Sequence, residues 1–204
     1  MIKSMIEKGF FKGVKQKLGY EKANEIRELY IMVLKENMGL ATDKPTEFNL
    51  MYTSLVLATY RVLKKYQFEN WEEILRYILI ERTKKKQQFF MKLYLLIDPH
   101  PFKRIVKISK EKQEKHYGNV NFTHDIVRDD EQAYHLHVKK CFYFDFFRAN
   151  DALEVMPMFC TLDDIWGDLL LPHKHGVRFL RPKLLSKGDS YCFFKFDRTK
   201  KESL

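Results

Sequence analysis

Val120-Asn121-Phe122-Thr123-His124-Asp125-Ile126 and then Tyr134-His135-Leu136-His137-Val138-Lys139 decide how this chain folds. In both runs apolar residues recur at every second position, with His124 falling on the apolar side of the first and Asn119 joining its polar set. A period of two is that of a half-buried strand. Arg128-Asp129-Asp130-Glu131 lies between them as a polar turn, so the two strands form a hairpin. Further on, Val177 and Phe179 alternate with Arg178 and Leu180. After the turn residues Ser186-Lys187-Gly188-Asp189-Ser190, Cys192, Phe194 and Phe196 alternate with Tyr191, Phe193 and Lys195. These are a third and a fourth strand, a second hairpin. The aromatic stretch Cys141 to Ala149 reads as a short helix. Glu154 to Leu171 reads as another, with Pro157 confined to its first turn, where a missing N–H costs nothing.

Upstream of Gly118 the period is helical. Ala23, Ile26, Tyr30, Val33 and Leu34 form a stripe between Glu21 and Met38, and Gly39 follows as a stop. Phe48, Met51, Leu55, Ala58 and Val62 form a second stripe. Asn70, three residues before Glu73, resembles a capping box, and the helix behind it either continues through Lys84-Lys85-Lys86 to Ile97 or breaks there. Asp98-Pro99 reads as an N-cap and first helical proline ahead of the helix Phe102 to Lys115. The expected class is α+β, with N-terminal helices packed with a small antiparallel sheet of two hairpins and intervening short helices. No Pro/Gly/Ser linker interrupts the chain, so residues 1–204 are expected to form a single domain. Its first part, 1–117, is mainly helical, and 118–204 carries the sheet.

The 204 residues include 45% hydrophobic and 31% charged side chains, which argues against disorder. Lys and Arg number 37 against 27 Asp and Glu, a net +10. The charge suits a small anionic partner, but it is spread over ordinary amphipathic helices with no recognition motif, so nucleic acid is not expected. Phe89 to Ile97, the longest greasy run, is cut by Lys92 and is too short to span a bilayer. Met1 to Lys8 lacks an apolar stretch of signal length. Three cysteines are no disulfide framework. A soluble, cytoplasmic protein without a membrane partner is expected; its oligomeric state is not legible.

Phosphate loops, dinucleotide fingerprints, Gly-x-Ser-x-Gly elbows and His-Glu-x-x-His are absent from the sequence. No nucleotide cofactor is expected. Cys160 and Asp163 lie three apart on a helix and share a face beside the apolar stripe Val155, Phe159, Leu162 and Trp166. Cys141 directly follows the second strand, and Cys192 points with Phe194 and Phe196 toward whatever covers the sheet. Two readings stay open: a cluster of Cys141, Cys160, Cys192 and Asp163, or free cysteines acting as small buried hydrophobes. His135 and His137 share one strand face, as do His173 and His175 if extended, but no third metal ligand is fixed. His124 reads as a core histidine. Arg148, Arg178 and Arg181 are candidates for holding a carboxylate.

His137-Val138-Lys139-Lys140-Cys141, Phe159-Cys160-Thr161-Leu162-Asp163, and the stretch from Phe179-Leu180-Arg181 through Ser190-Tyr191-Cys192-Phe193-Phe194-Lys195-Phe196 together resemble the L-2-amino-thiazoline-4-carboxylic acid hydrolase family. That family's pattern has a Cys ending a strand, a Cys-x-x-Asp in the next helix, then an Arg, a turn and a Cys-x-Phe strand. The likeness covers roughly residues 135–197. It departs from the pattern at Phe193, where the family often has an acidic residue, and at Lys195, where it has Arg. The closing strand also resembles vinyl-reductase-like small-molecule sensor domains.

The resemblance implies a hydrolase that opens a cyclic amidine, such as L-2-amino-thiazoline-4-carboxylate, to an N-carbamoyl-cysteine-type product. Cys160 is then the candidate nucleophile, Asp163 the acid or water-orienting group, and Arg181 the holder of the substrate carboxylate. Cys141 and Cys192 line the site, or join Cys160 and Asp163 as ligands of a divalent metal. The alternative is a non-enzymatic small-molecule- or metal-binding regulatory module of the same fold.

Overall fold

The computed structural model describes residues 2–117 and 120–200. Gly118 and Asn119, where the sequence period changes, and Met1 lie outside the described residues. The class is α+β, and the chain divides into two compact units. One comprises the residues up to Lys84 with Phe146–Val155; the other comprises Lys85–Asp145 and Met156 onward.

The first unit is helical. Helix α1, Ile2–Glu36, begins well before the stripe anticipated from the sequence and is kinked at Gly19, whose φ of 80° is open to glycine at no steric cost. Phe10, Phe11 and Val14 before the kink, and Ala23, Ile26, Tyr30 and Val33 after it, are buried. Helix α2, Lys44–Lys65, starts where Asp43 Oδ1 accepts the Thr46 N–H at 2.7 Å. It is buried almost all round. Its interior hydroxyls are satisfied within the helix, Thr53 donating to the Asn49 carbonyl at 2.9 Å and Thr59 to that of Leu55 at 2.8 Å. The segment Phe146–Val155 belongs to this unit through Arg61 donating to Asn150 at 3.1 Å, and through Glu154, which receives the Tyr60 hydroxyl and lies 3.1 Å from Lys64.

Asn70 does precede helix α3, Trp71–Arg76, but its side chain makes no cap bond, so the capping box is not formed. The helical path then continues without a break. A π-turn, Tyr77–Glu81, leads into α4, Arg82–Ile97. Helix α5, Pro101–His116, starts two residues later than Asp98-Pro99 suggested, with His100 at the cap and Pro101 in the first turn. Asp98 instead folds the preceding turn, accepting the His100 N–H at 2.8 Å and Arg104 Nε at 3.3 Å.

Among the described residues the second unit holds a four-stranded antiparallel sheet in the order β1-β2-β4-β3. The strands are β1 (Thr123–Asp129), β2 (Ala133–Lys140), β3 (Val177–Leu180) and β4 (Cys192–Arg198). Both expected hairpins are present. The first closes on Asp130, whose Oδ1 accepts the N–H groups of Gln132 and Ala133 at 2.7 and 2.8 Å. The hairpins join through β2 and β4, which set Tyr134 opposite Phe196, Leu136 opposite Phe194 and Val138 opposite Cys192. Directly opposed residues share a face, so Cys192 points the same way as the core residues Tyr134, Leu136 and Phe196. Leu95, Phe102, Ile105, Leu170 and Val177 complete that core.

His124 is not a core residue. It sits half exposed on β1, an edge strand whose register shifts twice, and Ile126 beside it is exposed. Bulges at an edge break the alternation on which the sequence reading relied. Between the hairpins run α6, Phe142–Ala149, and α7, Met156–Gly167. Helix α7 is shorter than Glu154–Leu171, because a 3₁₀ turn over Leu153–Val155 precedes it and it ends at Gly167. The Phe179 ring lies against Gly167 where a Cβ would stand. His173 and His175 fall in a short helix, α8 (Pro172–His175), and not in an extended stretch. No helix among the described residues is long and apolar enough to cross a membrane.

Candidate active site

Helix α7 presents Cys160 and Asp163 on one side, as their spacing requires. Arg181, the residue after β3, reaches that helix. Its Nη1 donates to the Cys160 carbonyl at 2.8 Å and to Asp164 Oδ1 at 3.0 Å, and its Nη2 stands 3.4 Å from Asp163 Oδ2. The guanidinium lies 4.6 Å over the Phe194 ring of β4, with 5% of its side chain exposed. Arg181 thus ties α7 to the sheet, and its Nε is buried without a hydrogen-bond partner among the described residues. A planar fork suits this, because one group serves several acceptors and stacks on a ring.

The charge of Cys160 raises the proton affinity of both other thiols, and that of Cys192 raises Cys141's. Cys160 Sγ–H donates to Ser186 Oγ at 3.5 Å, and Cys192 Sγ accepts the Leu185 N–H at 3.3 Å. Cys141 heads α6, its carbonyl accepting the Asp145 N–H at 3.0 Å and its sulfur facing the Phe144 and Tyr143 amides. Burial pushes all three thiols up. Backbone amides oppose this at Cys141 and Cys192, as do Ser186 and Arg181 at Cys160, without reversing it. The free protein therefore holds them protonated at neutral pH.

Asp163 is also pushed up, first by the protein crowded around it and next by Asp164, against the pull of Arg181. Yet 40% of its side chain meets solvent. The carboxyl is thus both surrounded by protein and reachable from solvent.

Tyr117, at the end of α5, feels the charge of Asp163, Cys141 and Arg181, and burial drives its phenol up. It begins a line of edge-to-face and tilted aromatic contacts: Phe122 at 4.8 Å, then Tyr143 at 5.4 Å, then Phe159 at 4.7 Å. Nothing in the sequence singles out Tyr117, Asp164 or Ser186. Ser186 reads as turn chemistry, Asp164 is overshadowed by its neighbour, and no local pattern marks Tyr117.

The other candidates lie elsewhere. His135 Nε2 is 2.8 Å from Asp197 Oδ1, His137 stacks on Tyr191 at 4.1 Å, and His175 Nδ1 accepts the Leu171 N–H at 3.0 Å. Arg148 and Arg178 are exposed on α6 and β3. Among the described residues no three His, Cys, Asp or Glu side chains are arranged to hold a metal ion, Cys141, Cys160, Cys192 and Asp163 included.

A family model for L-2-amino-thiazoline-4-carboxylic acid hydrolases matches residues 48–196, well over half of the chain. The match begins in α2 and so takes in helices that precede the sequence likeness at residues 135–197. No curated protein matches the chain.

Proposed function

Because the chain belongs to the L-2-amino-thiazoline-4-carboxylic acid hydrolase family, we propose that it opens a cyclic amidine such as L-2-amino-thiazoline-4-carboxylate to an N-carbamoyl-cysteine-type product. The reading rests on one observation: Arg181 bridges the half-buried Cys160 and the reachable Asp163, donating to the Cys160 carbonyl at 2.8 Å and standing 3.4 Å from Asp163 Oδ2.

Cys160 Sγ attacks the carbon between the ring sulfur and nitrogen. Its proton passes to the ring amidine nitrogen, so the substrate supplies the base that a raised thiol needs. The carbon–ring sulfur bond then breaks, and the departing sulfur takes the proton of Asp163. This leaves an S-linked isothiouronium beside the Asp163 carboxylate. Asp163 next takes a proton from water as the water oxygen bonds to carbon. The C–Sγ bond breaks, the remaining hydroxyl proton returns to Cys160, and the carbamoyl product leaves. Protons balance, with one water consumed.

Arg181 holds the substrate carboxylate through Nη2, which stands 3.4 Å from Asp163 Oδ2. Cys141 and Cys192 line the site. The aromatic line from Tyr117 to Phe159 offers a flat wall to a planar ring.

The elevated thiols favour a second reading, a module that binds the small anion without turning it over. Incubating the chain with L-2-amino-thiazoline-4-carboxylate distinguishes the two. Appearance of a new free thiol, with product heavier by one water, is expected for the hydrolase. Saturable binding without thiol release selects the binding module, and neither result removes both.

A further inference from the structure

From Lys85 to Ile97, helix α4 has two unlike sides. Leu95 is buried in the core of its unit, and Met91 and Tyr94 pack against it. The opposite side carries Phe89, Phe90, Leu93, Leu96 and Ile97, all exposed, Leu96 and Ile97 by more than 70%. At 100° per residue these five fall with Lys85, Lys86 and Lys92 within a sector of about 160°. The lysines are exposed too, Lys86 Nζ lying 6.0 Å over the Phe90 ring. This stretch contains no acidic residue. Scattered exposed apolar residues need no explanation, but five on one helix side, interleaved with cations alone, do.

Positive charge continues past the helix end. Pro99, His100 and Lys103 line a cleft of about 510 Å³ with His175, Arg198 and Lys200, and none of its lining residues is acidic. A second copy of the chain is poorly matched to the α4 face, since pairing like with like sets three lysines against three lysines with no carboxylate among them. A negatively charged surface that accepts apolar side chains without a shaped groove is well matched. Acyl chains and lipid phosphates together have that chemistry.

We propose that the α4 face, from Lys85 to Ile97, docks on the surface of an anionic phospholipid membrane, with Phe89, Phe90, Leu93, Leu96 and Ile97 entering the headgroup–acyl boundary and Lys85, Lys86 and Lys92 meeting phosphates. The helix lies on the bilayer and does not cross it. Docking is independent of the hydrolase reading, because none of these residues belongs to the cysteine site.

The full chain is tested by co-sedimentation with phosphatidylcholine vesicles and with vesicles of about one-third phosphatidylserine. Sedimentation with the anionic vesicles, little with the neutral ones, and release by added salt are expected. Phe89→Ser with Leu96→Ser should weaken partitioning by about tenfold at an unchanged thermal midpoint, because both side chains are exposed. Lys85→Glu with Lys92→Glu should do the same through charge. Equal binding to both vesicle types overturns the proposal, as does binding unaffected by either pair of substitutions. So does a concentration-dependent dimer that the Phe89/Leu96 pair abolishes and that forms without lipid, which would assign the face to a second copy.

Discussion

Helix α2 and strand β4 are equally hydrophobic to the eye, yet they are used differently. Leu55, Val56, Leu57 and Ala58 are wholly buried in consecutive positions, and even the hydroxyls of Thr53 and Thr59 close back on the same helix. In β4 only Cys192 and Phe196 are buried, and the residues between them are half covered. Around that strand, polar groups sit at the margin of a core. They are desolvated enough to shift their proton affinities and exposed enough to be reached. Fully buried layers supply stability, and incompletely buried layers supply chemistry.

The sharpest way to break this contrast is Cys160→Ser. Turnover should fall by about 10³-fold or more, since oxygen is a far weaker nucleophile here, while the urea midpoint hardly moves. Wild-type turnover in the folded variant would end the case for this thiol. Leu55→Ala should behave oppositely, losing about 3 kcal/mol of stability in urea unfolding with the folded fraction still fully active. A loss of activity per folded molecule would show that the helical unit takes part in the chemistry.

Asp163→Asn keeps shape and removes the transferable proton, so turnover should drop about 10²-fold with substrate binding retained. In the wild-type protein, activity should decline as rising pH strips Asp163 of its proton, and this limb should vanish in the variant. Gly167→Ala sets a methyl against the Phe179 ring, itself stacked on Trp166 at 5.0 Å and 4.8 Å from Phe196. About 2 kcal/mol of destabilisation is expected, read as a lowered urea midpoint.

The smallest effect comes from the thiols as a group. Their folded proton affinities exceed the ordinary thiol value near 9. The folded state therefore keeps protons that the unfolded chain releases. The associated stability is fully present below about pH 9 and is lost as pH rises toward the folded values. Thermal midpoints should fall on the alkaline side, and less steeply in Cys141→Ala. An identical slope in that variant would place the alkaline sensitivity elsewhere.

Most features that repeat over a few residues are legible along the chain. The alternations around Phe122, Tyr134, Phe179 and Phe194 specify two hairpins, and three-residue spacing puts Cys160 beside Asp163, because strand and helix periods are local geometry. Local pattern misled where a competing local bond existed, as at Asp98, or where position in the sheet overrode it, as at His124. Tertiary structure alone decided that β2 pairs with β4, which aims Cys192 at the core, and that Arg181 spends its fork on Cys160, Asp163 and Asp164. It also brought Ser186 to Cys160 and set Tyr117 within reach of the charges of Asp163, Cys141 and Arg181. These contacts link residues far apart in sequence, and the shifted proton affinities arise from neighbours that gather only when the chain is folded. Desolvation has no period, and no spacing along the chain can announce it.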